Sequence, residues 1–121
     1  MDTKWYVDSG ATGHLIGELE KLTVRDKYRG QGEIHGANGS SMRIDNVGNS
    51  VFQTPSRPIH LKRILHYPHA QTNLLSVNHI ALENQVFLEF HPFYFSIKDK
   101  ATRRILYICS CSGGLYPLIP R

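Results

Sequence analysis

Trp5-Tyr6-Val7-Asp8-Ser9-Gly10-Ala11 is a strand-forming apolar run that ends on a lone carboxylate, followed at once by a hydroxyl and a glycine. An acid-Ser-Gly triplet alone is weak evidence, because such turns are common on protein surfaces. Here apolar residues stand on both sides: Trp5, Tyr6 and Val7 before it, Leu15 and Ile16 after it. A surface turn does not need that much apolar surface so close to a carboxylate. The stretch therefore reads as a buried strand, a tight loop at Asp8 to Gly13, and a restart of strand at His14 to Ile16.

Outward from this corner the chain is strand and turn. Leu19, Leu22 and Val24 are spaced only loosely through Glu18 to Lys27, which reads as a loop and a short strand. Glu33-Ile34-His35 leads into Gly36-Ala37-Asn38-Gly39-Ser40, and Met42-Arg43-Ile44 leads out. Asn-Gly between extended runs is a strong hairpin signal, because a type I′ turn needs positive φ at both central residues. Gly48 marks a further turn before Val51-Phe52. Ile59 to Tyr67 alternates, with Ile59, Leu61 and Ile64-Leu65 directed inward, and Pro68 ends it. Asn73 is a helix cap by type, and Leu74, Leu75, Val77, Ile80, Ala81 and Leu82 form an apolar stripe at helical spacing. The spacing predicts one helix over about 73–84. Val86 to Phe90, Phe93 to Lys98, Ile105 to Cys109 and Leu115 to Ile119 read as strands separated by turns. The expected fold is mostly β, a small barrel-like arrangement with one helix in the C-terminal half.

Composition bounds the function. At 121 residues, 40% hydrophobic and 20% charged, the chain is the size and make-up of one folded domain. The net charge of +4 is mild, and only Lys62-Arg63 and Arg103-Arg104 adjoin, so a specific nucleic-acid surface is weakly indicated. No apolar run approaches a membrane span. The N-terminus lacks the regions of a signal peptide, and two cysteines, Cys109 and Cys111, make no disulfide framework. A reducing compartment is expected. The seven histidines show no pair four apart around an acid, and the cysteines have no second pair, so no metal is expected. No serine sits in a Gly-x-Ser-x-Gly elbow. A Ser/His/Asp triad is not excluded by composition, but the lone carboxylate of Asp8 has the more distinctive setting. Two carboxylates sharing one proton hydrolyse amides: the ionised member takes a proton from water, and the protonated one polarises the carbonyl. Of five aspartates, only Asp8 precedes Ser-Gly. A dyad would need Asp8 from a second copy of the chain across a two-fold axis.

Asp8-Ser9-Gly10-Ala11-Thr12-Gly13-His14 with Trp5-Tyr6-Val7, then Leu61 to Pro68, Asn73-Leu74-Leu75-Ser76-Val77, and Gly113-Gly114-Leu115-Tyr116-Pro117-Leu118, resemble in order and spacing the protease segment of copia-type LTR-retrotransposon Pol polyproteins. That segment is a branch of the retropepsin-like aspartic proteases. The resemblance implies a cofactor-free endopeptidase, active as a homodimer on extended peptide segments of its own Gag-Pol polyprotein, cytoplasmic and within virus-like particles. It implies Asp8 as the catalytic group, with Ser9, Gly10 and Ala11 in the active-site loop. Gly36, Ala37, Asn38, Gly39 and Ser40 would be the flap tip over the substrate. Leu74, Leu75 and Ser76 would wall the pocket, where retropepsins usually carry Gly at the position of Ser76. Val86 to Phe90 would enter the dimer-forming sheet. It divides the chain into a protease domain, 1–98, and a C-terminal β extension, 99–121, leading toward the pre-integrase region. The competing reading is a retropepsin-like module, inactive or domesticated, that binds peptide or nucleic acid.

Overall fold

The computed structural model describes residues 4–22, 24–28, 33–35, 41–111 and 113–119. Within these the chain is mostly β with one α-helix, as the residue pattern predicts. The strands are β1 (Trp5–Asp8), β2 (Leu15–Ile16), β3 (Val24–Lys27), β4 (Glu33–His35), β5 (Ser41–Arg43), β6 (Asn46–Gln53), β7 (Pro58–His66) and β8 (Asn73–Ser76). Helix α1 (Val77–Asn84) follows, then β9 (Val86–Phe90), β10 (Tyr94–Asp99), β11 (Ile105–Ser110) and β12 (Tyr116–Leu118). One sheet has the order β12-β1-β8-β2-β7-β6-β3, a second is the meander β11-β10-β9, and β4 and β5 form a separate antiparallel pair. The loop joining β4 to β5, residues 36–40, lies outside the described residues, so the expected flap tip is not placed.

The main sheet is mixed. β1 runs parallel to β8 and β2 parallel to β7, while β12, β6 and β3 pair antiparallel with their neighbours. Trp5 and Val7 from β1, Phe52 from β6, Ile59, Leu61 and Ile64 from β7, and Leu75 from β8 point into one core. Phe95 and Ile97 from β10, Leu106 and Tyr107 from β11, Leu118 from β12 and Ile80 from α1 join the same core. β7 shows why its pattern changes phase: Ile59 and Leu61 are buried, then Ile64 and His66. An irregularity between Gly48 and Ser50 sets one β6 residue, Asn49, against two of β7, Lys62 and Arg63. Such a bulge flips the inward set by one position. Arg63 takes φ 53° there, and its amide donates to Asn49 Oδ1 at 3.1 Å. Gly48 is therefore a buried strand residue beside a bulge, and not the turn expected at that position.

The helix is shorter than its apolar stripe suggests. Asn73 to Ser76 is strand, held between β1 and β2. Asn73 is fully buried and does not cap: its Oδ1 accepts the Gly17 amide at 2.9 Å, and its amide group donates to the Lys4 carbonyl. It ties the start of β1 and the end of β2 to β8. The cap is Ser76, whose Oγ accepts the His79 amide at 3.3 Å. The stripe misleads because Leu74 and Leu75 are apolar for a strand's reason, while Leu82 is exposed. Gln85 ends the helix in the left-handed region at φ 54°.

Candidate active site

Asp8 is the last residue of β1. Three buried residues, Trp5, Tyr6 and Val7, anchor the strand, and the chain becomes exposed at Asp8, Ser9 and Gly10. The loop closes on itself. The Gly10 amide donates to Asp8 Oδ1 at 2.8 Å, and the Ala11 amide to the Asp8 carbonyl at 3.3 Å. Oδ1 is thereby fixed in direction, a short-range turn geometry typical of aspartate. A Cβ on Gly10 would meet Asp8 Oδ1 at 3.4 Å, an ordinary contact. Within one chain, then, the loop has room for a side chain at that position.

Beneath the loop, β8 pairs with β1 so that Tyr6, Val7 and Asp8 face Leu74, Leu75 and Ser76 in turn. Leu75 and Ser76 are fully buried and Leu74 half-buried. The structure thus brings together Asp8, Ser9, Gly10, Ala11 and Leu74. Of the residues expected to wall the pocket, Leu74 faces the Asp8 side, whereas Leu75 turns to the other face of β8 into the core and Ser76 is buried outside the cavity lining. A cavity of about 480 Å³ opens beside the carboxylate. Tyr6, Leu74, Phe90, Leu115 and Tyr116 line it together with Asp8 and Ser9.

His14 is a part of the site to which residue-type reasoning assigns no role. It is fully buried, and its Nδ1 accepts the Ser76 amide at 2.9 Å. Its carbonyl accepts the Leu65 amide of β7 at 3.0 Å. The His79 ring lies 5.4 Å away, centroid to centroid, in an edge-on arrangement, and His79 in turn meets Glu83 at 3.5 Å. His66, also on β7, is engaged by Asn46 at 3.0 Å. Burial, with the neighbouring His79 in second place, pushes His14 down to about 4 from its usual 6.5. The imidazole is neutral at physiological pH, with its proton on Nε2, because Nδ1 is an acceptor. The only advance signal was its place at the end of the stretch Asp8-Ser9-Gly10-Ala11-Thr12-Gly13-His14.

Among the described residues no other aspartate is placed to pair with Asp8. Asp26 lies on β3, at the far edge of the sheet, and Asp45 precedes β6. Asp99 accepts from the Thr102 amide, from Arg57 at 3.1 Å and from the Ala101 amide, and these, the Thr102 amide foremost, hold its carboxyl below the usual range. Asp2 lies outside the described residues. Among the described residues, no three His, Cys, Asp or Glu side chains form a metal-binding group, and no helix is long and apolar enough to cross a membrane.

Residues 5–93 match the family model described as "Pol polyprotein, beta-barrel domain". The chain belongs to this family. As a Pol β-barrel domain it is 37% identical over 98 residues to the retrovirus-related Pol polyprotein from transposon RE1 of Arabidopsis thaliana. It is 35% identical over 98 residues to that from transposon RE2 of the same plant. Both matches cover 81% of this chain and 7% of the polyprotein, so the domain spans a small fraction of those relatives. No solved structure matches it significantly. The family match ends at residue 93, inside the turn before β10, while the Asp8 cavity is also lined by Leu115 and Tyr116.

Proposed function

We propose that this Pol β-barrel domain is an aspartic endopeptidase that cleaves a retrotransposon Gag-Pol polyprotein, with Asp8 of two copies forming the catalytic pair. The observation that carries the proposal is the placement of Asp8: an exposed carboxylate on a self-bonded loop, backed by two buried strands, beside an apolar-walled cavity. Kinship to retrotransposon Pol polyproteins supports the substrate class. In this mechanism the two carboxylates, about 3 Å apart, share one proton, because both cannot ionise at that distance. The ionised one takes a proton from water, which attacks the scissile carbonyl. The protonated one donates to the carbonyl oxygen. Gly10 leaves space for the second copy and the peptide, and Ser9 bonds across the dimer. Residues 36–40 close over the substrate, and Leu74 walls its apolar pocket, while Leu75 packs into the core on the opposite face of β8. An extended peptide suits such a cleft, since strand pairing supplies affinity and alternate side chains supply specificity. Processing takes place in the cytoplasm, within virus-like particles.

The test is self-processing of a longer precursor carrying Asp8 or Asp8→Asn. Asp8→Asn is expected to reduce cleavage by about 10³-fold or more and to leave the thermal melt unchanged, because the side chain is exposed. The wild type should show a bell-shaped pH profile and sediment as a dimer when active. Equal cleavage of the two precursors refutes the mechanism. A monomer without cleavage at high protein concentration favours the non-catalytic binding module.

A further inference from the structure

We propose that His14 is the positioning residue of the Asp8 site: by accepting the Ser76 amide it locks the end of β8, and with it the start of α1, at one spacing from the Asp8 loop. This rests on Asp8 being the catalytic carboxylate. His14 closes the loop that begins at Asp8, and Ser76 is the residue opposite Asp8 in the β1–β8 pairing. The 2.9 Å bond joins residues 62 apart in sequence, so it fixes a tertiary spacing and not a local turn. Ser76 then caps α1 through its Oγ. One residue therefore faces Asp8 across the strands, donates its amide to His14, and starts the helix.

The imidazole does more than fill space. Its Nε2 is buried without a hydrogen-bond partner among the described residues, and a buried unpartnered donor is destabilising. An aliphatic side chain would avoid that cost but would leave the buried Ser76 amide without its acceptor. The acceptor at Nδ1 is what distinguishes histidine from an apolar filler here. The surroundings keep it available, since β8 and β7 supply backbone amides to His14 and α1 brings His79, with Glu83 behind it.

Two variants separate positioning from packing. His14→Asn keeps an acceptor, Oδ1, near the place of Nδ1, and His14→Leu keeps bulk without one. In the full chain at pH 7, His14→Leu is expected to speed hydrogen exchange at the Ser76 amide about tenfold or more, the scale of one lost hydrogen bond. It is expected to move the Gly10 amide resonance. With a peptide substrate, kcat should fall about tenfold while KM stays within about two-fold. His14→Asn should restore Ser76 protection, the Gly10 resonance and kcat together. Unchanged Ser76 protection in His14→Leu, or no restoration in a folded His14→Asn, overturns the proposal. If His14→Leu does not fold, His14→Asn decides alone: retained Ser76 protection supports positioning and its loss refutes it. If the wild type cleaves nothing, the endopeptidase reading falls, and the Ser76 and Gly10 responses still decide whether His14 holds the loop.

Discussion

Leu118 is the residue whose removal tests the architecture most directly. It lies 25 residues beyond the family match, yet it is 1% exposed and stands opposite Trp5 in the β1–β12 pairing. Trp5 begins the strand that carries Asp8. Leu118→Ala deletes three carbons, about 2.4 kcal/mol of transfer free energy at full burial. The hole adds to this. A small half-open pocket, about 40 Å³, already borders Leu118, Trp5, Phe52 and Leu61, and the truncation enlarges it. A cavity contribution of about 1 kcal/mol is expected, for a total of about 3–4 kcal/mol. For a domain of this size that lowers Tm by roughly 10–15 °C. The assay is urea unfolding with a thermal melt, on Leu118→Ala and on the neighbouring Ile119→Ala. Ile119 is 47% exposed, so its truncation should stay within about 0.5 kcal/mol. A cost below about 1 kcal/mol for Leu118→Ala, or equal costs for both, would show that β12 does not dock on β1 in solution.

Other outcomes follow from single side chains. Because His14 is pushed down to about 4 in the fold, the unfolded chain binds more protons between pH 6.5 and 4. Its contribution is complete above pH 6.5 and is lost as pH falls toward 4, up to roughly 3 kcal/mol. His14→Asn should lose correspondingly less stability than wild type in urea melts at pH 7 and pH 4, and an identical loss would refute the assignment. Asn84 accepts the His60 amide at 2.6 Å and donates to the His60 and Ile80 carbonyls, joining α1 to β7. Asn84→Ala should cost about 2–3 kcal/mol by chemical denaturation, since it removes the partners of the partly buried His60 amide and carbonyl at once. Gln85 holds φ 54° at the helix end, so Gln85→Gly should raise stability by about 0.5–1 kcal/mol, and a lower melting temperature would contradict the left-handed cap.

The parts of the fold legible in advance were those written in neighbouring residues. Trp5 to Val7 could only be strand, and the Ser-Gly after Asp8 had to turn the chain. The strands on either side of residues 36–40 pair as a hairpin, as the flanking runs implied. The strands of the C-terminal meander lie within a residue or two of their predicted places. What failed depended on partners distant in sequence. Asn73 has a helix-capping side chain, but the amide it serves belongs to Gly17. Nothing local reports that. Gly48 looked like a turn because only the opposing β7 residues reveal the bulge. The same holds at the site. Asp8, Ser9 and Gly10 stood out by type, whereas the weight of His14 rests on a bond to Ser76, and the shape of the cavity depends on Leu115 and Tyr116.

The antiparallel β1–β12 pair also sets how the domain responds to tension. Trp5 and Leu118 are register partners, so the described chain enters and leaves the fold one strand spacing apart, roughly 5 Å. Chain attached before Trp5 and after Leu118 pulls the two strands apart from the same end. The load then falls on one rung of the ladder at a time, in an unzipping geometry, and not on all rungs at once in shear. The strand carrying Asp8 is thus the first to feel a mechanical pull transmitted along a polyprotein. Stretching single molecules by these two ends should open the domain by peeling β12 away before the β9–β11 meander or the β6–β7 pair yields.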